Sequence, residues 1–208
     1  MNKGRYAVRR IALVLLLSTS IGACQSDTTS VVIETSAGPI TVALYAEAAP
    51  LTVANFLEYV DAGRYDGAAF YRVVRDDNQA QNLIKIDVIQ GGLGFDQLGT
   101  GFAPISHETT NTTGVTHLDG TLSLARGEPG TGSSEFFITV GAQPSLDFGG
   151  MRNPDGLGFA AFGRVTEGMP VVIAIQQMDT VQPTGELEYT SGQMLIEPVR
   201  INRVRRLP

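Results

Sequence analysis

The stretch "AFYRVVRDDNQAQNLIKIDVIQGG", residues 69–92, contains two short runs that are typical of β-strands, separated by a polar segment. The first run is rich in aromatic and β-branched residues, yet it carries a cation, Arg72. The second run ends in Gln90 followed by two glycines. Because side chains alternate across a strand, Arg72 is expected to share a face with Phe70 and Val74. A cation placed on a largely apolar strand face is a candidate functional group.

Two later segments, "GTLSLAR" and "EFFITV", divide in the same way into a fully apolar face and a mixed face. If the four strands adjoin, the mixed faces form one surface that holds Arg72, Val88, Gln90, Ala125, Glu135 and Phe137. The spacing leaves two interpretations open. The surface is either an ordinary solvent-facing sheet with scattered apolar residues, or a binding site for a peptide with a small hydrophobic side chain and an exposed amide.

The length and composition predict one globular, β-rich domain. The chain has 208 residues, of which 43% are hydrophobic, and its 24 glycines lie mostly between short apolar runs. The formal net charge of −6 argues against nucleic acid as a partner. Helices are predicted in "PLTVANFLEYVDAG" and "EGMPVVIAIQQM". The predicted strands are a hairpin of "VVIETS" with "ITVALYA", residues 69–74, 86–90, 121–125, 135–140 and 160–165, and the closing segment "MLIEPVRINRVRRL" as a pair or as one long bent strand.

The amino terminus has the pattern of a bacterial signal peptide. Residues 1–10 carry four cations and no acid, and an apolar core that is too short to span a bilayer follows at residues 11–21. Small residues then lead to Cys24, the only cysteine of the chain, in "IGAC", which resembles a bacterial lipobox. The expected organisation is a signal peptide over 1–23, a lipidated polar tether over 24–30 and one domain over 31–208. An ordinary signal peptide, with Cys24 as a bystander, is the alternative.

Removal of residues 1–23 would take away four of the 15 cations and none of the 21 acids. Such an acidic body does not attract anionic lipid headgroups, so membrane attachment would depend on acyl chains at Cys24. The expected location is the bacterial cell envelope, facing the periplasm. Gln25, in place of an aspartate associated with inner-membrane retention, favours the outer membrane. The mature chain is expected to be a monomer.

Five motifs in this order, "FYRVV", "IQGG", "GTLSLAR", "GSSEFFI" and "FGRVTEGMPVV", resemble the signatures of the cyclophilin-type peptidyl-prolyl cis-trans isomerases. The likeness runs from about Val31 to about Val204. It implies a mainly β fold, a closed antiparallel eight-stranded barrel capped by two α-helices. It also implies an enzyme that isomerises X-Pro bonds in proline-containing polypeptides and needs neither a cofactor nor a metal.

The resemblance assigns expected roles to individual residues. Arg72 matches the catalytic arginine, and Gln90 matches the glutamine that binds the substrate backbone and steadies the arginine. The other expected substrate-binding residues are Val88, Phe137 and Leu146 in the proline pocket, Phe159 at a pocket position, Ala125 and Arg126 along the peptide backbone, and Glu135 where the family has glutamine.

The chain also departs from the family pattern. The segment "RDDNQAQNLIKID" is inserted after the arginine strand, and Asp87 stands where a pocket phenylalanine is expected. The pocket is therefore expected to be shallower, unless Leu83 or Ile84 supplies that wall. Glu135 is expected to add a negative charge near Arg72. Ser145 replaces the tryptophan that contacts cyclosporin in many members, which predicts weak inhibition by cyclosporin.

Other patterns are weak. His107 and His117 lack a third metal ligand, and the serines of "GTGSSE" have no nucleophile elbow. "GGLGFDQLGTGF" is glycine-rich but has no phosphate-binding signature. Two other functions stay open: a binding or chaperone module for proline peptides, blunted by Asp87 and Glu135, and a scaffold that retains only the barrel.

Overall fold

The computed structural model describes Met1 and residues 29–97, 99–182 and 188–208. The predicted signal peptide after Met1, Cys24 and most of the predicted tether lie outside the described residues. Within the described ranges, no helix is long and apolar enough to cross a membrane.

The described chain forms a closed barrel in which every strand pairs antiparallel with both neighbours. The strands are β1 Ser30–Thr35, β2 Gly38–Leu44, β3 Ala69–Val74, β4 Val88–Gly92, β5 Thr121–Leu124, β6 Phe136–Thr139, β7 Ala160–Glu167 and β8 Met194–Arg206. Their order around the barrel is β1-β2-β7-β5-β6-β4-β3-β8. The predicted eight-stranded antiparallel barrel is confirmed. The closing segment is one strand of 13 residues, so the alternative of a strand pair is wrong.

Among the described residues, two longer α-helices and one short α-helix accompany the barrel, and the two longer ones match the predicted helices. They are α1 Pro50–Asp61, the short α2 Thr110–Thr113 and α3 Met169–Gln176. The apolar face of α1 is buried through Val53, Phe56, Leu57 and Val60. No side chain of its own end caps α1. Instead, the carboxylate of Glu108 accepts hydrogen bonds from the amides of Leu51 and Thr52, at 3.2 and 2.8 Å.

Buried apolar side chains form two clusters on opposite faces of the β3-β4-β6 part of the barrel wall. The larger one fills the barrel interior, where the ring of Phe136 meets those of Phe56 and Phe70 edge to face. The smaller cluster lies on the outer face and consists of Val74, Ile86, Val88, Phe137, Leu146 and Phe159. This part of the wall is therefore covered on both sides, which an ordinary solvent-facing sheet is not.

Strand β3 corrects one prediction about faces. Phe70 pairs with Gly91 and Arg72 pairs with Gln90, so Tyr71 is an extra residue without a partner on β4. This bulge shifts the alternation by one position. Phe70 consequently lies in the barrel interior, whereas Arg72 faces outward with Val74, and the expected common face of Phe70 and Arg72 is wrong.

Candidate active site

A cavity of about 770 Å³ opens on the outer side of β3, β4 and β6. Its lining includes every substrate-contacting residue that the sequence predicts, namely Arg72, Val88, Gln90, Ala125, Arg126, Glu135, Phe137, Leu146 and Phe159. Their roles are still predictions, but the fold brings them to one place. Such a cavity, largely apolar with a few polar groups, is typical of ligand sites.

The apolar part of the cavity is the smaller hydrophobic cluster. The rings of Phe137 and Phe159 meet edge to face at 5.4 Å, and Val88 and Leu146 are buried beside them. Ala125 packs against the same cluster. These side chains form a hollow that suits a small hydrophobic side chain.

The wall beside Val88 differs from the prediction. Leu83 is 99% exposed and Ile84 is 38% exposed, and neither lines the cavity. Ile86 is buried and takes that place instead. Because side chains alternate, Ile86 points to the same side as Val88 and Asp87 points away from it.

Asp87 is therefore not a pocket residue. Its carboxylate accepts a hydrogen bond from the amide nitrogen of Gln176 on α3, at 3.0 Å. Burial raises the pKa of Asp87 above its ordinary value. The expected blunting of the pocket by Asp87 is wrong, since the cavity lining excludes it.

Arg72 is held by two glutamines. Its Nη1 donates to Oε1 of Gln90 at 2.6 Å, and its Nε and Nη2 both donate to Oε1 of Gln193, at 2.9 and 2.5 Å. The ring of Tyr189 lies over the guanidinium, with 5.0 Å between Cζ and the ring centroid. Burial lowers the pKa of Arg72 below its ordinary value. The guanidinium is thus fixed in one orientation at the edge of the apolar hollow.

A line of hydrogen bonds joins Arg72 to Glu135. Nε2 of Gln90 donates to the hydroxyl of Tyr71 at 2.9 Å, and that hydroxyl donates to the carboxylate of Glu135. Ser134 and the amide of Gly94 also donate to Glu135, at 3.0 and 3.1 Å. Burial raises the pKa of Glu135, against the effect of these donors. Glu135 acts on Arg72 through Gln90 and Tyr71 rather than by direct contact.

The two glycines after Gln90 leave room for this network. A side-chain carbon on Gly91 would lie 2.8 Å from the ring of Phe70. On Gly92 it would lie 2.6 Å from the carboxylate of Glu135, and Gly92 also has a φ of +146°. The Gln-Gly-Gly sequence is therefore a packing requirement of the site.

Arg126 supports the wall of the cavity. Its guanidinium makes two hydrogen bonds with Asp155, at 2.7 and 3.0 Å, and donates to the carbonyl of Gly158. Its Cζ lies 5.4 Å from the centroid of the Phe159 ring. The Arg126 side chain is therefore engaged in hydrogen bonds within the cavity wall. The predicted pairing of residues 125 and 126 with a peptide concerns their backbone.

The two histidines have separate surroundings. His117 lies between the carboxylate of Asp147, at 2.7 Å, and the hydroxyl of Ser123, at 2.9 Å. This line has the order of a hydrolase triad, but Ser123 and His117 are 0% and 1% exposed and the ring of Phe137 stacks on His117. A substrate does not reach that hydroxyl, so the line supports Phe137. His107 is 3.3 Å from the carbonyl of Leu157, and burial lowers its pKa.

Sequence reasoning missed Gln193 and Tyr189. Both stand in the segment just before β8, far along the chain from Arg72. The only signal was an aromatic and an amide in the polar stretch "EYTSGQ" ahead of the predicted closing strand. That signal does not indicate which side chain they contact.

The chain matches the family model "Cyclophilin type peptidyl-prolyl cis-trans isomerase/CLD" over residues 30–206. It is 38% identical over 176 residues to peptidyl-prolyl cis-trans isomerase cyp18 of Streptomyces antibioticus, covering 83% of this chain and 98% of that protein. It is 35% identical over 196 residues to peptidyl-prolyl cis-trans isomerase A of Dickeya dadantii, covering 92% and 94%.

Solved structures show the same barrel. A cyclophilin type peptidyl-prolyl cis-trans isomerase of Cryptosporidium parvum superposes with a TM-score of 0.65 and 19% identity, over 87% of this chain and 98% of that one. A second structure of that protein, in the presence of the dipeptide Ala-Pro, gives a TM-score of 0.64 at 20% identity, over 84% of this chain and 96% of that one. With the barrel, the ordered motifs and the family match together, the chain belongs to the cyclophilin-type peptidyl-prolyl cis-trans isomerases.

Proposed function

We propose that the mature chain isomerises X-Pro bonds in exported polypeptides, with Arg72 as its catalytic residue. The observation that carries the proposal is the position of the guanidinium, held by two glutamines at the edge of an apolar hollow. The substrate proline would enter the hollow formed by Val88, Phe137, Leu146 and Phe159.

The guanidinium has hydrogen-bond donors left for a substrate. An arginine side chain carries five N–H groups, and three of those on Arg72 donate to Gln90 and Gln193. The remaining two N–H groups, one on each Nη, are not used by either glutamine, although the Tyr189 side chain also hydrogen-bonds with this guanidinium. They are the groups that would meet the substrate.

The chemistry follows from amide resonance. Rotation about an X-Pro bond breaks the resonance and meets a barrier of about 18–20 kcal/mol. In the twisted state the imide nitrogen regains its lone pair and accepts a hydrogen bond, which it does not do in either planar state. A donor fixed at that nitrogen therefore stabilises the transition state more than the ground states, which is what accelerates the reaction. The apolar surroundings of the hollow strengthen this interaction.

Turnover and binding separate this function from the peptide-binding alternative. The assay uses the mature chain and a proline peptide, with cis–trans exchange and peptide binding both followed by NMR. We expect the wild-type chain to catalyse the exchange. We expect Arg72→Ala to lose most of the catalysed exchange rate while the peptide still binds. Binding without catalysed exchange would favour the binding module. If neither binding nor catalysed exchange is detected, only the scaffold hypothesis remains.

We also propose that the chain is exported and acylated at Cys24, as a lipoprotein of the bacterial envelope. The amino-terminal pattern supports this, and β1 begins at Ser30, six positions after Cys24. At about 3.5 Å per residue, such a tether keeps the barrel within roughly 20 Å of the lipid surface. Mass spectrometry of the native amino terminus tests it. Acyl chains on Cys24 are expected, and a longer or unacylated terminus would contradict the proposal.

A further inference from the structure

Three segments outside the barrel strands meet beside Arg72. Arg152, in the loop before β7, donates from Nη1 to Oε1 of Gln79 at 3.0 Å and to the carbonyl of Ile84 at 2.5 Å. Gln81, in the insertion after β3, donates to the carbonyls of Tyr189 and Ser191, at 3.1 and 3.2 Å. The insertion therefore ties Arg152 on one side and the segment before β8 on the other.

Arg152 is buried with part of its hydrogen-bonding capacity unused. The residue is 9% exposed, and no acceptor among the described residues meets hydrogen-bond geometry at its Nε or Nη2, although the hydroxyl of Tyr189 lies close enough to interact with this guanidinium. None of the ion pairs in the described part of the chain includes Arg152 or Arg72. A buried charged donor without a well-aligned acceptor is costly, which makes a site for a stronger acceptor than the phenol the simplest explanation of this arrangement.

Tyr189 links the guanidinium of Arg152 to the cavity. Its ring centroid lies 5.0 Å from Cζ of Arg72 and 5.9 Å from Cζ of Arg152, and Tyr189 and Arg72 both line the cavity. Burial around its hydroxyl raises the pKa of Tyr189, but the charges of Arg72 and Arg152 and hydrogen bonds with both guanidinium groups lower it further, so that the net change is a decrease. The guanidinium groups of Arg72 and Arg152 thus both lie beside Tyr189 at the edge of the hollow, in a chain whose net charge is −6. Tyr189 itself is 57% exposed, so its ring is accessible from the solvent side.

We propose that Arg152 and Tyr189, beside Arg72, form a subsite for the carboxylate of an acidic residue next to the substrate proline. The inference rests on the proposed isomerase function and adds a substrate class, proline flanked by Asp or Glu. Nε and Nη2 form one edge of the Arg152 guanidinium, and this edge matches the two oxygens of a carboxylate. Tyr189 would stack on the incoming residue or move aside.

The first test needs only the wild-type mature chain. Two pairs of proline peptides are compared, with Glu or Gln immediately before the proline in one pair and immediately after it in the other. In at least one pair, kcat/KM for the Glu peptide should exceed that for the Gln peptide by roughly tenfold at low salt, and the ratio should shrink as salt is added. A ratio near one in both pairs would overturn the proposal.

The second test removes the cation. Arg152→Met keeps most of the length of the side chain, and the Glu-to-Gln ratio should fall to near one. Because the ratio is taken within each variant, a general loss of activity cancels. Arg203→Met, at an exposed position on β8, is the matched control and should keep the wild-type ratio. An unchanged ratio in folded Arg152→Met would also overturn the proposal.

Peptide binding measured by NMR titration separates this proposal from the isomerase function. If no peptide is turned over but the Glu peptide binds roughly tenfold more tightly than its Gln partner, the subsite is supported and the proposed catalysis is not. If turnover is normal and both peptides bind equally, the catalysis stands and the subsite is rejected.

Discussion

Oε1 of Gln193 accepts hydrogen bonds from both Nε and Nη2 of Arg72, at 2.9 and 2.5 Å, although the two residues are 121 positions apart in the chain. Gln193 is fully buried, so this contact is part of the packed structure. Together with Gln90 it sets the plane of the guanidinium. We therefore regard Gln193 as a positioning residue for the proposed catalytic group.

Loss of this acceptor should reduce the rate more than the binding. For Gln193→Met we expect kcat to fall by roughly tenfold or more with KM little changed, since a hydrogen bond to a charged group is worth about 1.5–3 kcal/mol. Gln193→Glu keeps the acceptor and should recover most of the rate. Steady-state kinetics by NMR exchange measure both. Equal kinetics in wild type and a folded Gln193→Met variant would show that the contact does not orient Arg72.

The buried carboxylate of Glu135 should make stability depend on pH. Its pKa is raised by burial, so the folded state holds the proton more tightly than the unfolded state does. Stability from this group is therefore present at low pH and is lost as pH rises from the unfolded value near 4.5 through the folded pKa. Glu135→Gln does not titrate, and the other groups largely cancel in a comparison of the two proteins.

The free energy of unfolding of wild type minus that of Glu135→Gln should decrease as pH rises from about 4 to about 7. Urea unfolding at several pH values gives this difference. A difference that is constant, or that grows with pH, would mean that the carboxyl is not held with a raised pKa.

Gly92 should not accept a side chain while Glu135 is present. A side-chain carbon there would lie 2.6 Å from the carboxylate. We expect Gly92→Ala to lower the free energy of unfolding by about 1–3 kcal/mol or more, through this overlap and through the positive φ. The backbone cost is independent of Glu135, but the overlap is not. In a Glu135→Ala background the cost of Gly92→Ala should therefore be smaller by at least about 1 kcal/mol, measured by urea unfolding. Additive effects of the two substitutions would contradict the packing argument.

The sequence predicts the barrel and the composition of the cavity because both depend on local patterns. Alternation along "GTLSLAR" and "EFFITV" separates the interior Leu122 and Phe136 from the outward Ala125 and Phe137. The order of the five motifs then brings Arg72 to the same surface. These features depend on strand periodicity and motif order, and both can be recognised in a single amino-acid sequence.

What the sequence does not predict depends on register and on distant loops. The bulge at Tyr71 moves Phe70 to the interior, and no residue type in "AFYRVV" predicts a bulge there. Ile86 rather than Leu83 or Ile84 forms the pocket wall, because the chain resumes its alternation only at the end of the insertion. Gln193 and Tyr189 reach Arg72 across the fold. Such contacts are fixed by how loops pack, which spacing along the chain does not encode.

The central claim is that the guanidinium of Arg72 stabilises the twisted X-Pro bond. The most direct measurement is kcat/KM of Arg72→Ala on a proline peptide by NMR exchange, with peptide binding and folding checked on the same sample. We predict a loss of about 10²–10³-fold with binding nearly unchanged, as for removal of one donor to a transition-state charge elsewhere. Arg72→Lys, which keeps the charge but not the fork, should lie between, and Arg203→Ala on the exposed side of β8 should match wild type. A folded Arg72→Ala protein that turns over the peptide at the wild-type rate would contradict the account.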